Sequence, residues 1–592
     1  MLDLRVYRAA FVPALLALVV VAFSFGNGER ADRTTLPSDA FDGDRATATL
    51  RELADRYPDR RPGGRGDDAL ARRVAATFRA TGMRTSSRRF EAQTIDGSRE
   101  LTTVVGVRPG NVSARRVVVL AHRDAAEPGS RAALSSTAAL LELAQVYSGR
   151  AVRKTLVLVS TSGGSGGNAG AQEFAADPRG PVEGVLVLGD LAGRVVRSPQ
   201  VVPWSNRQGI GSLKLQRTVE SAVRSEGGLR PRPPTWAAQW ARLAVPLTTS
   251  EQGEVLGEEV PAMLLSVSGE RGPGAKSAVD AARFERYGRA ALRTISSLDA
   301  RRRGSALQPR ESIAGARNVL PGWSVTLFAG TLLLPVLVGA VDGFARARRR
   351  RQPVLRWLAW VALCAVPFLL AAAVALLFAL TGLLPAAPDA PVAAGTIPLG
   401  AGGVACLAVM ALVFAAAWAR GRRLLAGALG VPRPPTSPGE APGAAAAATL
   451  VLAAVGLVAW LVNPFAAALL VGGLHLWMLA VAPEVRMRRP VAALAVVAGL
   501  LPGVLLVVYF ARAFGLGPLE VPWEALLLVA GGQVGAGPLI AWAVLLGALM
   551  CVAHIVATQR GLRDAPGPKV TRGPKRYAGP GSLGGTKSAL RR

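Results

Sequence analysis

The residues able to do chemistry are concentrated between positions 117 and 190. An apolar run, VVVLA (117–121), leads into His122 and, two places on, Asp124; GGSGG (163–167) sets Ser165 among glycines after a second apolar run; GVLVLGD (184–190) ends on Asp190. A histidine and carboxylates gathered in this way are the donors of a metal site, where one further carboxylate must stay off the metal to take a proton from water. G-x-S-x-G between a strand and a helix is instead the setting of a nucleophilic serine. Both chemistries depend on partners, and imidazoles are scarce: the chain has three His, of which His475 and His554 lie in long apolar runs.

The elements that must position these groups alternate. RVVVLAH (116–122), TLVLVST (155–161), GVLVLGD (184–190) and PAMLLSV (261–267) read as buried strands, and 132–147 and 277–298 as helices. Such alternation predicts an α/β three-layer sandwich with a mostly parallel sheet. Working groups in that architecture collect at strand carboxyl ends, where His122, Ser162 and Asp190 stand. Residues 49–83 read as helix, Pro/Gly loop, helix, and 301–318 as a polar linker. No internal repeat is present.

Seven pieces in order carry a resemblance: RRPGG (60–64), VVVLAHRD (117–124), TAALLELAQVY (137–147), KTLVLVST (154–161), GNAGAQEFA (167–175), GVLVLGD (184–190) and VPAMLLS (260–266). Over about residues 47–300 the chain resembles the di-zinc aminopeptidases, peptidase family M twenty-eight. The resemblance implies two zinc ions held by a His, a bridging Asp, a Glu, a later Asp and a final His, with another Glu as general base. His122 matches the first ligand, Asp124 the carboxylate that orients it, and Asp190 the later Asp. Arg131, Ala132 and Ala133 stand where the bridging Asp belongs, Gly164 and Ser165 where the two Glu belong, and 250–277 holds no His.

Two remnant ligands, His122 and Asp190, leave zinc short of the three protein donors of a catalytic site. No cofactor is therefore expected, zinc being the one alternative left open. The favoured local reading is a His122–Asp124 hydrogen bond at a strand end. The rival is Ser165 as nucleophile, with His122 as base oriented by Asp124 or Asp190. Against that rival stands a Gly-rich turn filling the space two glutamates left.

Composition adds a membrane. Of 592 residues 51% are hydrophobic, and apolar runs near the ~20 residues that cross a bilayer occur at 9–25, 319–341, 357–384, 397–419, 444–462, 465–482, 491–511 and 535–557. Residues 523–535 read as a re-entrant or interfacial piece. The Arg clusters at 346–351, 420–423, 486–489 and beyond 559 fall on one side, which the positive-inside rule makes the cytoplasm. The expected organisation is a cytoplasmic N-terminus and signal-anchor span (1–26), an exported peptidase-like domain (27–317), a seven-span membrane domain (318–558) and a disordered basic cytoplasmic tail (559–592). A Pro/Gly-rich cytoplasmic loop is expected at 430–443.

The net charge is +30, and only 6 of the 69 basic residues are Lys, so an Arg-rich composition accounts for the charge as well as an anionic partner does. Nucleic acid is excluded for an exported domain. Cys364, Cys406 and Cys551 all fall in spans, so the exported block has neither disulfides nor Cys-ligated zinc. The expectation is a multi-pass cell-membrane protein whose outer domain is a catalytically inactive peptidase relative that binds or scaffolds. Its partners would be a membrane protein or a peptide or lipid-linked ligand, with anionic lipid or wall polymer as further candidates. The alternatives are an active hydrolase, through a reduced metal site or Ser165, and a transporter or lipid-handling protein with an accessory domain.

Overall fold

The computed structural model describes residues 3–558 apart from 33, 35–37, 228–230, 302–306, 386, 429, 431–442 and 486. Most of the loop expected at 430–443, and the whole tail from 559, lie outside the described residues.

Seven strands form the main sheet: β1 (Arg84–Thr94), β2 (Gly97–Arg108), β3 (Ser113–His122), β4 (Lys154–Thr161), β5 (Val182–Leu188), β6 (Val201–Val202) and β7 (Ala262–Leu265), in the order β1-β2-β4-β3-β5-β7-β6. The centre, β4-β3-β5-β7, is parallel, as the buried apolar runs predict. The flanks are not: β1 and β2 form an antiparallel hairpin, β2 joins β4 antiparallel, and β6 joins β7 antiparallel. The sheet is thus mixed rather than mostly parallel. The hairpin is hidden in the sequence because β1 (RTSSRRFEAQT) is a polar strand at the sheet edge, with no apolar run to mark it.

Alternation along β3 builds the layers. Val117, Val119 and Ala121 face one helical layer, made of α1 (Gly43–Arg56), α2 (Arg65–Ala80), α3 (Ser135–Val146), α5 (Leu213–Gly227) and α8 (Ala281–Ala300). Val118 and Leu120 face the other, made of α4 (Ala169–Ala176), α6 (Trp236–Ala244) and α7 (Gln252–Gly257). Each valine or leucine so removed from water contributes roughly 1.5–3 kcal/mol. The helices start where their caps dictate: Asp42 accepts the Arg45 amide at 2.9 Å, and Asp280 that of Arg283 at 3.0 Å.

Among the described residues, eight helices are long and apolar enough to cross a membrane: Leu4–Phe23, Gly322–Arg349, Val354–Leu380, Ala401–Ala428, Ala444–Val462, Pro464–Val481, Arg489–Phe514 and Ala536–Thr558. The piece expected at 523–535 is the helix Glu520–Ala530, whose 11 residues are too few to span. The linker at 301–318 is partly ordered as sheet. Ser312–Ala314 and Asn318–Pro321 pair antiparallel, and Gly26–Asn27 adds a third strand, tying the entrance of the α/β domain to its exit. Strands of two to four residues leave no period to read.

The α/β domain seats its second helical layer on the bundle. Asn463 caps Pro464–Val481 through the Phe465 and Ala466 amides and donates to the Leu243 carbonyl at 2.8 Å. Arg242 ion-pairs with Glu270, donates to the Tyr509 hydroxyl at 3.1 Å, and lies against the rings of Trp204, Tyr509, Phe510 and Phe514. Asn463 thus acts at the junction of the two halves.

Candidate functional site

The parallel strands deliver their ends to one rim. His122 closes β3 opposite Thr161, which closes β4, and Ser136 and Thr137 at the start of α3 both donate to the His122 carbonyl at 3.2 Å. Contrary to the expectation from the sequence, its imidazole pairs with Glu251 rather than with Asp124. Nδ1 lies 3.1 Å from Glu251 Oε2, and Thr161 Oγ1 donates to Glu251 Oε1 at 2.6 Å. Burial opposes a charge on His122, but the Glu251 carboxylate, with Asp124 adding to it, prevails and holds the imidazole pKa up to about 9. That direction favours the protonated ring at neutral pH.

Asp124 is committed elsewhere. It accepts the Gly164 amide at 3.0 Å, the Ser165 amide at 2.9 Å and the Ser165 hydroxyl. Ser165 therefore pairs with a carboxylate and not with the imidazole a serine nucleophile requires. Asp190 is not brought into this group: Oδ1 accepts the Ala192 and Gly193 amides at 3.0 and 2.7 Å, holding the turn after β5. Burial raises its carboxyl above the ordinary range, against the lowering by those two amides. The four candidates thus fall into His122–Glu251, Asp124–Ser165 and a turn-forming Asp190.

Arg123, between the two, belongs to a buried network that sequence reading missed. Its Nε pairs with Asp67 Oδ1 at 2.8 Å, and its other nitrogens donate to the Ser160 and Thr102 carbonyls. Asp67 also accepts from the Ser162 hydroxyl and from the Gly63 amide at 3.1 Å. Arg60 donates to the Arg123 and Ser130 carbonyls. The available signal was an arginine inside an otherwise apolar strand end, since a buried charge demands a partner.

The zinc pair implied by the resemblance does not fit these residues. A Cβ at Gly164 would stand 2.3 Å from His122 Cβ, so a glutamate there has no room unless the imidazole moves. Among the described residues, no three His, Cys, Asp or Glu side chains form a group able to hold a metal. The mouth is also bordered by the membrane half: a Cβ on Gly167 would stand 2.3 Å from Pro388 Cβ, and Gln533 donates to the Pro388 carbonyl at 2.6 Å.

No family model matches the chain, and no curated protein matches it. Among solved structures, it is similar to a leucine aminopeptidase precursor from Bacteroides thetaiotaomicron (15% identity, 44% of this chain and 98% of that one, TM-score 0.36). It is also similar to the glutaminyl cyclase of that species bound to N-acetylhistamine (15%, 43% and 97%, 0.34) and to a Zn-dependent exopeptidase from Parabacteroides distasonis (15%, 44% and 99%, 0.33).

Proposed function

We propose that the chain is a multi-pass protein of the cytoplasmic membrane whose α/β domain, residues 27–317, lies outside and is a non-catalytic relative of the zinc aminopeptidases, acting as a binding or scaffold component. The observation that carries this reading is the His122–Glu251 pair. The one imidazole of the domain is engaged by Glu251, and the carboxylate beside it, Asp124, is saturated by Ser165 and two amides. Neither a metal-bound water nor a serine nucleophile has its base.

The scaffold role is favoured by the seat of the domain, which is fixed to the bundle by Arg242 and Asn463 and has Pro388 at its rim. A ligand reaching the old cleft meets both halves, which suits a peptide, a lipid-linked molecule or a membrane-protein partner. The first span is retained in this reading. Tyr7 Oη lies 2.7 Å from His475 Nδ1, His475 Nε2 lies 2.9 Å from the Leu332 carbonyl oxygen, and Phe11 stacks on the ring at 5.2 Å. Arginines at 346–351, 420–423 and 486–489 favour a cytoplasmic position for that end.

Assay of the purified full chain against aminopeptidase and ester substrates tests the proposal. No turnover above buffer is expected; turnover that disappears in His122→Ala or Ser165→Ala overturns it. Labelling of a cysteine placed at 352 from outside intact cells would overturn the orientation.

A further inference from the structure

The membrane half holds a second constellation, unrelated to the rim. Cys364 on Val354–Leu380 and Cys551 on Ala536–Thr558 are 1% and 0% exposed, and both belong to one buried cluster where those helices pack. The two helices are packed backbone to backbone at this level: a Cβ on Gly547, one turn before Cys551, would stand 2.6 Å from the Ala365 nitrogen and 2.8 Å from the Cys364 carbonyl carbon. Glycine at that crossing lets the two backbones approach closely and brings Cys364 and Cys551 to one seam.

A third group completes the arrangement. Arg422 Nη1 donates to Cys364 Sγ at 3.5 Å, while its guanidinium lies 4.1 Å from the Trp418 ring centroid. It follows a π-helical turn, residues Ala417–Gly421, of the kind that often re-aims side chains at working sites. Arg422, one of the 420–423 arginines, is half-buried where it reaches the helix pair. Here it stands beside the sulfur that would bear negative charge as an attacking thiolate. Cys406, the remaining cysteine, has no cysteine or arginine contact of this kind among the described interactions.

We propose that Cys364 and Cys551 are a redox-active dithiol that closes to a disulfide across the two spans, with a small neutral peroxide as oxidant, since ionic oxidants are excluded from hydrocarbon. Cys364 sulfur attacks a peroxide oxygen, the O–O bond breaks, and the departing hydroxide takes the thiol proton and leaves as water. Cys551 sulfur then attacks the resulting sulfenic sulfur, the S–O bond breaks, and a second water departs with the remaining proton. Two thiols and one hydrogen peroxide thus give one disulfide and two waters. A dithiol reductant returns the two electrons and two protons.

The test uses the full chain in membranes, treated with hydrogen peroxide, then denatured and titrated with maleimide. Of three thiols, two are expected to be lost, with a linked 364–551 peptide in the mass spectrum, and reduction with dithiothreitol restores all three. Cys406→Ser retains the loss of two, whereas Cys551→Ser forms no intramolecular link and leaves a sulfenic acid at Cys364 that dimedone traps. Three thiols surviving in the oxidised wild-type chain, or oxidation spread equally to Cys406, overturns the proposal.

Discussion

His122 and Glu251 form an ion pair across the rim of the sheet, Nδ1 to Oε2 at 3.1 Å, with the carboxylate almost wholly buried and Thr161 on its second oxygen. They are brought together from the end of β3 and the residue preceding α7. This pair occupies the place where the resemblance calls for a metal ligand, and it fixes the charge state of the imidazole.

The pH dependence follows from that pairing. The His122 pKa, raised from an ordinary 6.5 to about 9, makes a contribution on the order of 3 kcal/mol. It is fully present below about pH 6.5, where the unfolded imidazole is also charged, declines above that, and is lost as pH rises through about 9. With only three His in the chain, selective ¹⁵N-histidine labelling resolves the ring. A midpoint near 9 is expected, moving down toward 6.5 in Glu251→Gln, where burial is opposed by Asp124 alone.

Gly164→Ala drives a methyl into His122 Cβ at 2.3 Å. Overpacking of this kind costs about 1–3 kcal/mol, measured as a fall in the unfolding midpoint. Gly164→Glu, which restores the residue type the resemblance implies, is expected to lose at least as much stability and to gain no zinc.

Much of this was legible beforehand, for physical reasons that differ by residue. VVVLA, TLVLV and GVLVL are buried on both faces and announce parallel core strands, so the positions of His122 and Asp190 at strand ends could be read directly. Glu251 could not, because a carboxylate 129 residues away acquires its meaning only when β3 and α7 pack. Likewise Ser165 satisfies the nucleophile pattern locally, yet its hydroxyl goes to Asp124, a choice made by the tight turn over His122.

Asp67→Ala leaves the Arg123 guanidinium, 0% exposed, without its carboxylate. Breaking a buried pair from one side costs about 3–5 kcal/mol. Asp55→Ala removes the partner of Arg131 at 3.6 Å, a pair with 72% and 67% exposed side chains, and is expected to cost less than about 1 kcal/mol. Equal losses in the two variants would contradict the buried network.

At the junction of the halves, Arg242→Ala removes the Glu270 ion pair and the Tyr509 hydrogen bond together. A loss of about 3–5 kcal/mol is expected, with Tyr509→Phe costing about 1–2 kcal/mol. The double variant should fall short of their sum, because both residues share one interaction. Limited proteolysis of Arg242→Ala should release the α/β domain from the bundle faster than in the unaltered chain.

Zinc content decides whether the rim is a metal site. The full chain, purified in detergent, incubated with excess zinc at pH 7 and desalted, is analysed for metal per polypeptide. Far less than one zinc per chain is expected, unchanged in His122→Ala. Near-stoichiometric zinc that is lost in His122→Ala would overturn the non-catalytic reading.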